Sequence, residues 1–109
     1  MTNFKAVMTL CGLTTEDAAV YLNVAPGTVL RWCTLPESPP REVWYAMIAL
    51  SDSIRVAAEE AAKSADLDNL TVSDLNNAEI VPPDLTLQGE GQRGAIAAIA
   101  VTALARAVL

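Results

Sequence analysis

The segment 13–32 constrains the fold more than any other part of the chain, because it contains two helix starts separated by one short turn. Thr14, followed three residues later by Asp17, matches a capping box, and acidic residues there also suit the positive end of a helix dipole. Asn23 can adopt the left-handed conformation that ends a helix, and Pro26 favours the first position of the next one. The pattern predicts a helix, a turn of about three to four residues and a second helix.

Side chains at core spacing support this arrangement. Ala19 is small enough to let two helices cross closely, and Val24 is placed to fill the angle between them. Val29 then anchors the second helix to the core. An earlier helix is predicted from Phe4, Val7 and Met8, which share one helical face, with Gly12 able to end it in a left-handed conformation.

A fourth helix is predicted after a proline-rich loop. The second helix of the pair runs from Pro26 to Cys33, and the three prolines of residues 35–40 forbid regular helix there. Pro40 suits the first position of the fourth helix, which ends near Lys63 and Ser64. Its expected apolar face consists of Val43, Trp44, Met47, Ile48 and Ile54.

The rest of the chain is less regular until its last stretch. We expect a domain at residues 1–65 and a smaller segment at 66–109, with short strands at Leu70–Val72, Ile80–Val81 and Leu85–Leu87. Residues 94–109 form an almost wholly apolar helix that must be buried. It is either a core helix or, as we favour, a helix that packs against its copy in a homodimer. The expected dimer contacts are Ile96, Ile99, Ala100, Ala103, Leu104, Ala107 and Val108.

Composition narrows the class of function. Hydrophobic residues make up 52% of the chain and aromatic residues only 5%, which favours a mainly α fold of closely packed, alanine-rich helices. The net charge of −6 argues against a histone-like or membrane-surface protein, although it permits one local DNA-contacting face. The terminal helix is too short for a membrane span, and the N-terminus lacks a signal-peptide pattern, so we expect a cytoplasmic protein.

No catalytic, metal or cofactor site is expected. Histidine is absent, which removes the commonest acid–base group and metal ligand. Cys11 and Cys33 do not form a CxxC pair and have no other Cys or His nearby in sequence. Nor is there a phosphate-binding glycine loop or a pair of carboxylates placed for catalysis, and no small-molecule pocket is evident. The sequence therefore predicts a protein that is not an enzyme.

The segment Leu13–Trp32 resembles the helix-turn-helix of phage and bacterial regulators of the lambda repressor/Cro (XRE) class. Its opening, Thr-x-Glu-x-Ala-Ala-x-x-Leu-x-Val, is also similar to the excisionase-type motif. The continuation from Trp32 through a loop to Pro40-Arg41-x-Val43 and an apolar helix follows the XRE pattern, whereas an excisionase would continue into a basic two-stranded wing. The small size and the appended segment look like the YdiL-like and anti-CRISPR-associated phage regulators.

The resemblance implies that Pro26–Cys33 is the recognition helix, with its N-terminal end entering the major groove of double-stranded DNA. Arg31 is then the side chain able to make a bidentate contact with guanine or to clamp a phosphate. The backbone N–H groups of Gly27 and Thr28 can receive a phosphate. The DNA-contacting residues implied in this way are Thr14, Thr15, Ala25, Pro26, Gly27, Thr28, Leu30, Arg31, Thr34 and Arg41.

Some of these residues also have a purely structural interpretation. Thr14 can act as a helix cap alone, and Arg41 can pair with Glu37 or another acidic residue instead of a phosphate. Trp32 and Trp44 lie at core spacing and are expected in the core. Arg31 faces outward in motifs of this class, which favours a contact with nucleic acid.

The function expected from these observations is a dimeric transcriptional regulator that represses a phage or mobile-element operon, and its own promoter is one candidate target. Its operator would be an inverted repeat. Two alternatives stay open at this point. One is a DNA adaptor like the small terminase subunits, which form rings rather than dimers. The other is a protein-interaction module that has kept the helix-turn-helix fold without binding DNA.

Overall fold

The computed structural model describes residues 2–80 and 89–109, and this part of the chain is mainly helical, as predicted. It contains no β-strand within those ranges. A 3-10 helix (Val72–Asn77) lies between the last two of its α-helices. The α-helices, in chain order, are α1 (Asn3–Leu10), α2 (Thr15–Leu22), α3 (Pro26–Thr34), α4 (Arg41–Lys63) and α5 (Glu90–Val108).

The chain divides into two compact units, residues 1–52 and residues 53–109. The border between these units lies inside α4, and the domain boundary expected from composition at residues 65 and 66 stays a prediction. Helix α4 itself ends at Lys63, as the sequence predicts. The change in composition near residue 65 coincides with the end of α4. The division into units reflects which residues pack against one another.

Helix α1 is joined to α3 through its first residues. The backbone N–H of Lys5 donates to the Thr2 hydroxyl at 3.3 Å, which caps α1, and that hydroxyl donates in turn to the Trp32 carbonyl at 2.6 Å. The ring of Phe4, 2% exposed, meets the rings of Trp32 and Trp44 edge to face, with centroids 5.6 and 5.8 Å apart. These contacts pack α1 against α3, because Trp32 belongs to α3.

The end of α1 confirms the role predicted for Gly12. Its φ is 71°, in the left-handed region where a side chain is strained. The N–H of Gly12 donates to the Thr9 carbonyl, and that of Leu13 to the Met8 carbonyl, both at 3.0 Å. The chain therefore reverses at Gly12, and α2 starts directly afterwards.

The first half of α4 buries a narrower face than the sequence suggested. Val43, Met47 and Leu50 are buried, but Ile48 is 54% exposed, so its assignment to the apolar face was wrong. Ile48 lies four residues after Trp44, which is itself only half-buried, so this edge of the helix face stays partly exposed. Trp44 is half-buried, and its indole N–H donates to the Ser38 hydroxyl at 3.0 Å. The helix begins at Arg41, one residue after Pro40, whose carbonyl accepts the N–H of Val43.

In the second unit, the predicted strand at Leu70–Val72 is wrong. Both the backbone N–H and the hydroxyl of Thr71 donate to the Asp74 carboxylate, at 3.1 and 2.8 Å. This local pairing starts the 3-10 helix at Val72. Ile80 is not in a strand either, and Val81 and Leu85–Leu87 lie outside the described residues. Among the described residues of this unit, the buried side chains are Ile54, Ala57, Ala58, Ala61, Ile96, Ala100 and Leu104.

Candidate nucleic-acid interface

Helix α2 begins with the capping box that the sequence predicts. The Thr14 hydroxyl accepts the N–H of Asp17 at 3.1 Å, and the Asp17 carboxylate accepts the N–H of Thr14 at 3.3 Å. The hydroxyl of Thr14 therefore has a structural role, while its own proton is still able to donate. Thr15 follows as the first residue of the helix and is half-buried. Both threonines lie at a helix N-terminus, where backbone N–H groups and the helix dipole favour an anion.

The turn between α2 and α3 depends on Asn23. Its φ and ψ are 55° and 49°, and no other non-glycine residue of the described chain has a positive φ. The next N–H, that of Val24, donates to the Ala19 carbonyl at 3.0 Å and closes the turn. Ala18 and Ala19 are buried, and α2 packs against α3. The small side chains allow the close approach that the sequence predicts.

Helix α3 starts without a side-chain cap. Ala25 precedes it in an extended conformation, and Pro26 occupies its first turn. The N–H of Thr28 donates to the Ala25 carbonyl at 3.0 Å. A carbonyl of the same turn therefore already accepts the Thr28 N–H, and the phosphate contact expected there stays a prediction. Gly27 lies exposed at the helix start, and no atom lies within 4 Å of the position that a Cβ would take.

The two sides of α3 differ sharply in exposure. Val29, Trp32 and Cys33 are buried, at 0%, 4% and 3% exposure. The residues on the other side include Leu30, a leucine that is 53% exposed. The exposed residues of this stretch are Ala25, Pro26, Gly27, Leu30, Arg31 and Thr34, while Thr28 is half-buried. We call these seven residues the α3 outer face.

Arg31 carries the positive charge of the α3 outer face and has a partner just beyond the helix. Its Nε lies 3.6 Å from Oε2 of Glu37 in the following loop, and the two side chains are 55% and 53% exposed. The distance makes this an exposed ion pair rather than a direct hydrogen bond. The sequence offered Glu37 as a partner for Arg41, but in the structure this carboxylate faces Arg31.

The remaining predicted contacts differ in how available they are. The Thr34 hydroxyl donates to the Leu30 carbonyl at 2.8 Å within α3, so its proton is already used. Arg41 is exposed at the first position of α4. All of these residues lie in the first unit.

The predicted dimer contacts on α5 fall into two groups. Ile96, Ala100 and Leu104 form a stripe that is already buried within the chain, with 0%, 0% and 3% exposure. Their surface is not available to a second chain, which corrects this part of the prediction. The residues that keep some exposed surface are Ile99, Ala103, Ala107 and Val108. The apolar residues of α5 are thus fully buried along one side of the helix only.

A surface groove of about 380 Å³ lies beside the loop that holds Glu37. Its walls include Phe4, Trp32 and Trp44, and Ser38 also lines it. No such pocket was evident from the sequence, because its residues come from α1, α3, α4 and the α3–α4 loop. The Ser38 hydroxyl already accepts the indole N–H of Trp44.

Both cysteine thiols are free and buried. Burial raises the pKa of the Cys11 thiol, and it also raises the pKa of the Cys33 thiol, which the nearby Lys5 charge lowers in part. These thiols are therefore protonated near neutral pH and are poor nucleophiles. Across residues 2–80 and 89–109, no three Cys, Asp or Glu residues are grouped so that they could hold a metal ion.

Comparison with protein-family models, with characterised proteins and with solved structures found no match to this chain. The assignment of a function therefore depends on the geometry described above. Among the helices of the described ranges, none has both the length and the apolar character needed to cross a membrane.

Proposed function

We propose that this protein is a sequence-specific double-stranded-DNA-binding transcriptional regulator in which α2, the Asn23 turn and α3 act as a helix-turn-helix. The observation that carries the proposal is the two-sided character of α3. Its inner side holds Val29 and Trp32 in the core, while its outer side presents Arg31. A short helix held this way by a preceding helix and a tight turn is suited to enter the major groove.

Four residues of the α3 outer face have a chemical role in this proposal. Arg31 has the fork geometry that pairs with O6 and N7 of guanine. Ala25 and the Pro26 ring offer apolar contact to a thymine methyl group, and Gly27 lets the helix start approach the DNA closely. Thr14, Thr15 and Arg41 lie at two helix starts and contact backbone phosphates, which position the protein without reading sequence.

The charge balance leads us to propose a homodimer as the binding form. Residues 1–62 contain four basic residues, Lys5, Arg31, Arg41 and Arg55, against seven acidic ones. A single chain therefore makes few phosphate contacts and binds weakly. A dimer doubles those contacts and reads two half-sites about one helical turn apart, as in an inverted repeat.

We assign the dimer contact to the exposed part of α5. Ile99, Ala103, Ala107 and Val108 keep surface after the chain has folded, and their mostly small side chains allow two helices to pack closely. The simplest mechanism is occupancy of a promoter, with repression set by protein concentration. Control of a phage or mobile-element operon follows from the resemblance described above.

The test begins with selection of duplexes from a randomised pool by the intact protein. Fluorescence anisotropy then measures the affinity for the selected duplex and for a scrambled duplex of equal composition, at low and moderate salt. We expect Arg31→Ala to lower the affinity for the selected duplex about tenfold or more. Arg93→Ala is the matched control, because Arg93 is also an exposed helical arginine but lies in the second unit.

Light scattering on the same samples gives the mass of the assembly. A dimer that prefers the selected duplex, with a loss confined to the Arg31 variant, supports the proposal. A ring-sized assembly would instead favour the packaging adaptor. A protein that enriches no sequence and does not bind DNA would favour the interaction module, in which the exposed Leu30 is a contact for another protein.

A further inference from the structure

We infer that Glu37 is a specificity-determining positioning residue, which holds the Arg31 side chain so that its guanidinium reads guanine rather than binding any nearby phosphate. This inference rests on the proposed function, because it concerns how the same arginine recognises DNA. The structural basis is the ion pair between Nε of Arg31 and Oε2 of Glu37, 3.6 Å apart.

The contact uses one edge of the guanidinium and leaves the other free. An arginine has five N–H donors arranged around a planar group, of which one is on Nε and four are on the two terminal nitrogens. Glu37 lies against Nε. The terminal pair of nitrogens is thus left as the edge that matches O6 and N7 of one guanine.

The position of Glu37 explains why it can do this without distorting the fold. Arg31 is in α3, which ends at Thr34, and Glu37 follows in the loop with Pro36 on one side and Ser38 on the other. Pro36 restricts φ locally, which limits the conformations open to that loop. A carboxylate on this loop faces the arginine from beyond the helix and leaves the helix start clear for DNA.

Glu37 also has a cost for binding. It is a negative charge beside the arginine that is to approach a polyanion, and it therefore lowers the affinity for DNA of any sequence. Because it restrains the same arginine, we expect it to weaken binding to wrong sequences more than to the right one. The pair is half-exposed, so removing it has little effect on folding.

The experiment compares intact wild-type protein with Glu37→Gln. The probes are the selected duplex, its scrambled form and the selected duplex with 7-deazaguanine in place of guanine, which lacks the N7 acceptor. We expect Glu37→Gln to bind the scrambled duplex about threefold or more tightly, through loss of one negative charge near the phosphates. We also expect the preference for the selected duplex, and the penalty for 7-deazaguanine, to fall about fivefold or more.

Two controls separate positioning from charge. Glu60→Gln removes one negative charge from a carboxylate of similar exposure, 55% against 53%, together with its 3.7 Å ion pair to Lys63 in the second unit, and should change none of these ratios. In the Arg31→Ala background, Glu37→Gln should raise the affinity for both duplexes equally, because no arginine remains to be positioned. A non-additive effect of the two changes on the preference is the expected signature.

The outcomes distinguish this inference from the proposed function. If Glu37→Gln strengthens binding to all duplexes by the same factor, Glu37 is only a repulsive charge and the positioning role is wrong. The proposed function would survive that result. If wild-type protein shows no preference among duplexes, both proposals fail together.

Discussion

The ring of Phe4 meets the ring of Trp32 edge to face, with the centroids 5.6 Å apart and the planes at 72°. One residue belongs to α1 and the other to α3, so the contact fixes the inner side of the proposed recognition helix against the N-terminal helix. Phe4 meets Trp44 of α4 in the same way at 5.8 Å. A single buried ring therefore connects three helices of the first unit.

We expect Phe4→Ala to lower the free energy of unfolding by about 3–5 kcal/mol, because it removes a buried ring and leaves a cavity between α1, α3 and α4. Phe4→Leu, which keeps an apolar side chain, should cost clearly less. Chemical denaturation monitored by tryptophan fluorescence measures both, since Trp32 and Trp44 face the substituted ring. Equal loss in the two variants would mean that ring packing is unimportant here.

The capping box at the start of α2 separates a structural from a DNA-binding role for Thr14. Thr14→Ala should lower the free energy of unfolding by about 1 kcal/mol, because the N–H of Asp17 loses its acceptor. Thr14→Ser keeps the hydroxyl and should restore most of that stability. Thermal unfolding and DNA titration on the same variants are informative together. If the alanine variant loses more affinity for DNA than its unfolded fraction explains, Thr14 contacts a phosphate.

Two glycines of the first unit should respond to alanine in opposite directions. Gly12 has a φ of 71°, so Gly12→Ala should destabilise the protein by about 1 kcal/mol. Gly27 lies in the first turn of α3 with open space where a Cβ would lie, so Gly27→Ala should stabilise it by about 0.5–1 kcal/mol. Denaturation midpoints measured under identical conditions test the pair. A loss of stability in the Gly27 variant would contradict the open space found there.

Asn23 is expected to tolerate glycine but not a β-branched residue. Its left-handed φ of 55° strains a branched side chain, so Asn23→Val should cost about 1–2 kcal/mol, whereas Asn23→Gly should be close to neutral. Calorimetry gives the stability of both variants. DNA binding by the glycine variant should match wild type if the conformation of Asn23, rather than its amide group, is what the turn requires.

Because the two thiols are buried, we expect the protein to lose stability at alkaline pH. Burial raises the pKa of Cys11 and Cys33 above the value of about 8.5 in an unfolded chain. Their contribution is fully present below that pH. It is lost as the pH rises toward the folded-state pKa, because only the unfolded state releases the protons readily.

Denaturation at a series of pH values from neutral to alkaline measures this loss. The variant with alanine at both cysteines is the control, because it retains the tyrosines and lysines that titrate in the same range. Its stability should fall less steeply with pH than that of wild type. Parallel slopes would mean that the thiols ionise equally in the folded and unfolded states.

Local signals along the sequence were sufficient for most helix boundaries of the first unit. The capping pair Thr14 and Asp17, the left-handed residues Gly12 and Asn23, and Pro26 each act within three or four residues of their own position. Such signals are legible without knowledge of the fold, because their hydrogen bonds and steric limits are local. The pair Thr71 and Asp74 has the same spacing as Thr14 and Asp17, and recognising it would have replaced the predicted strand by a helical turn.

Packing between the helices determines which apolar surfaces stay exposed. Ile48 is exposed although its side chain is as apolar as that of its buried neighbour Met47, because burial depends on what the other helices cover. The stripe of Ile96, Ala100 and Leu104 is buried within the chain for the same reason, which left only part of α5 for a second copy. Helical spacing shows which residues share a face of a helix, but it does not show what packs against that face.

For the candidate site, the resemblance to the helix-turn-helix motif predicted that Arg31 faces outward, and in the structure Arg31 is exposed while Val29 and Trp32 are buried. The pairing of Arg31 with Glu37, in contrast, depends on how the chain folds around α3. The path of the proline-rich loop after α3 sets which carboxylate comes within 3.6 Å of the guanidinium. A loop without regular hydrogen bonds has no periodicity from which such a contact can be predicted.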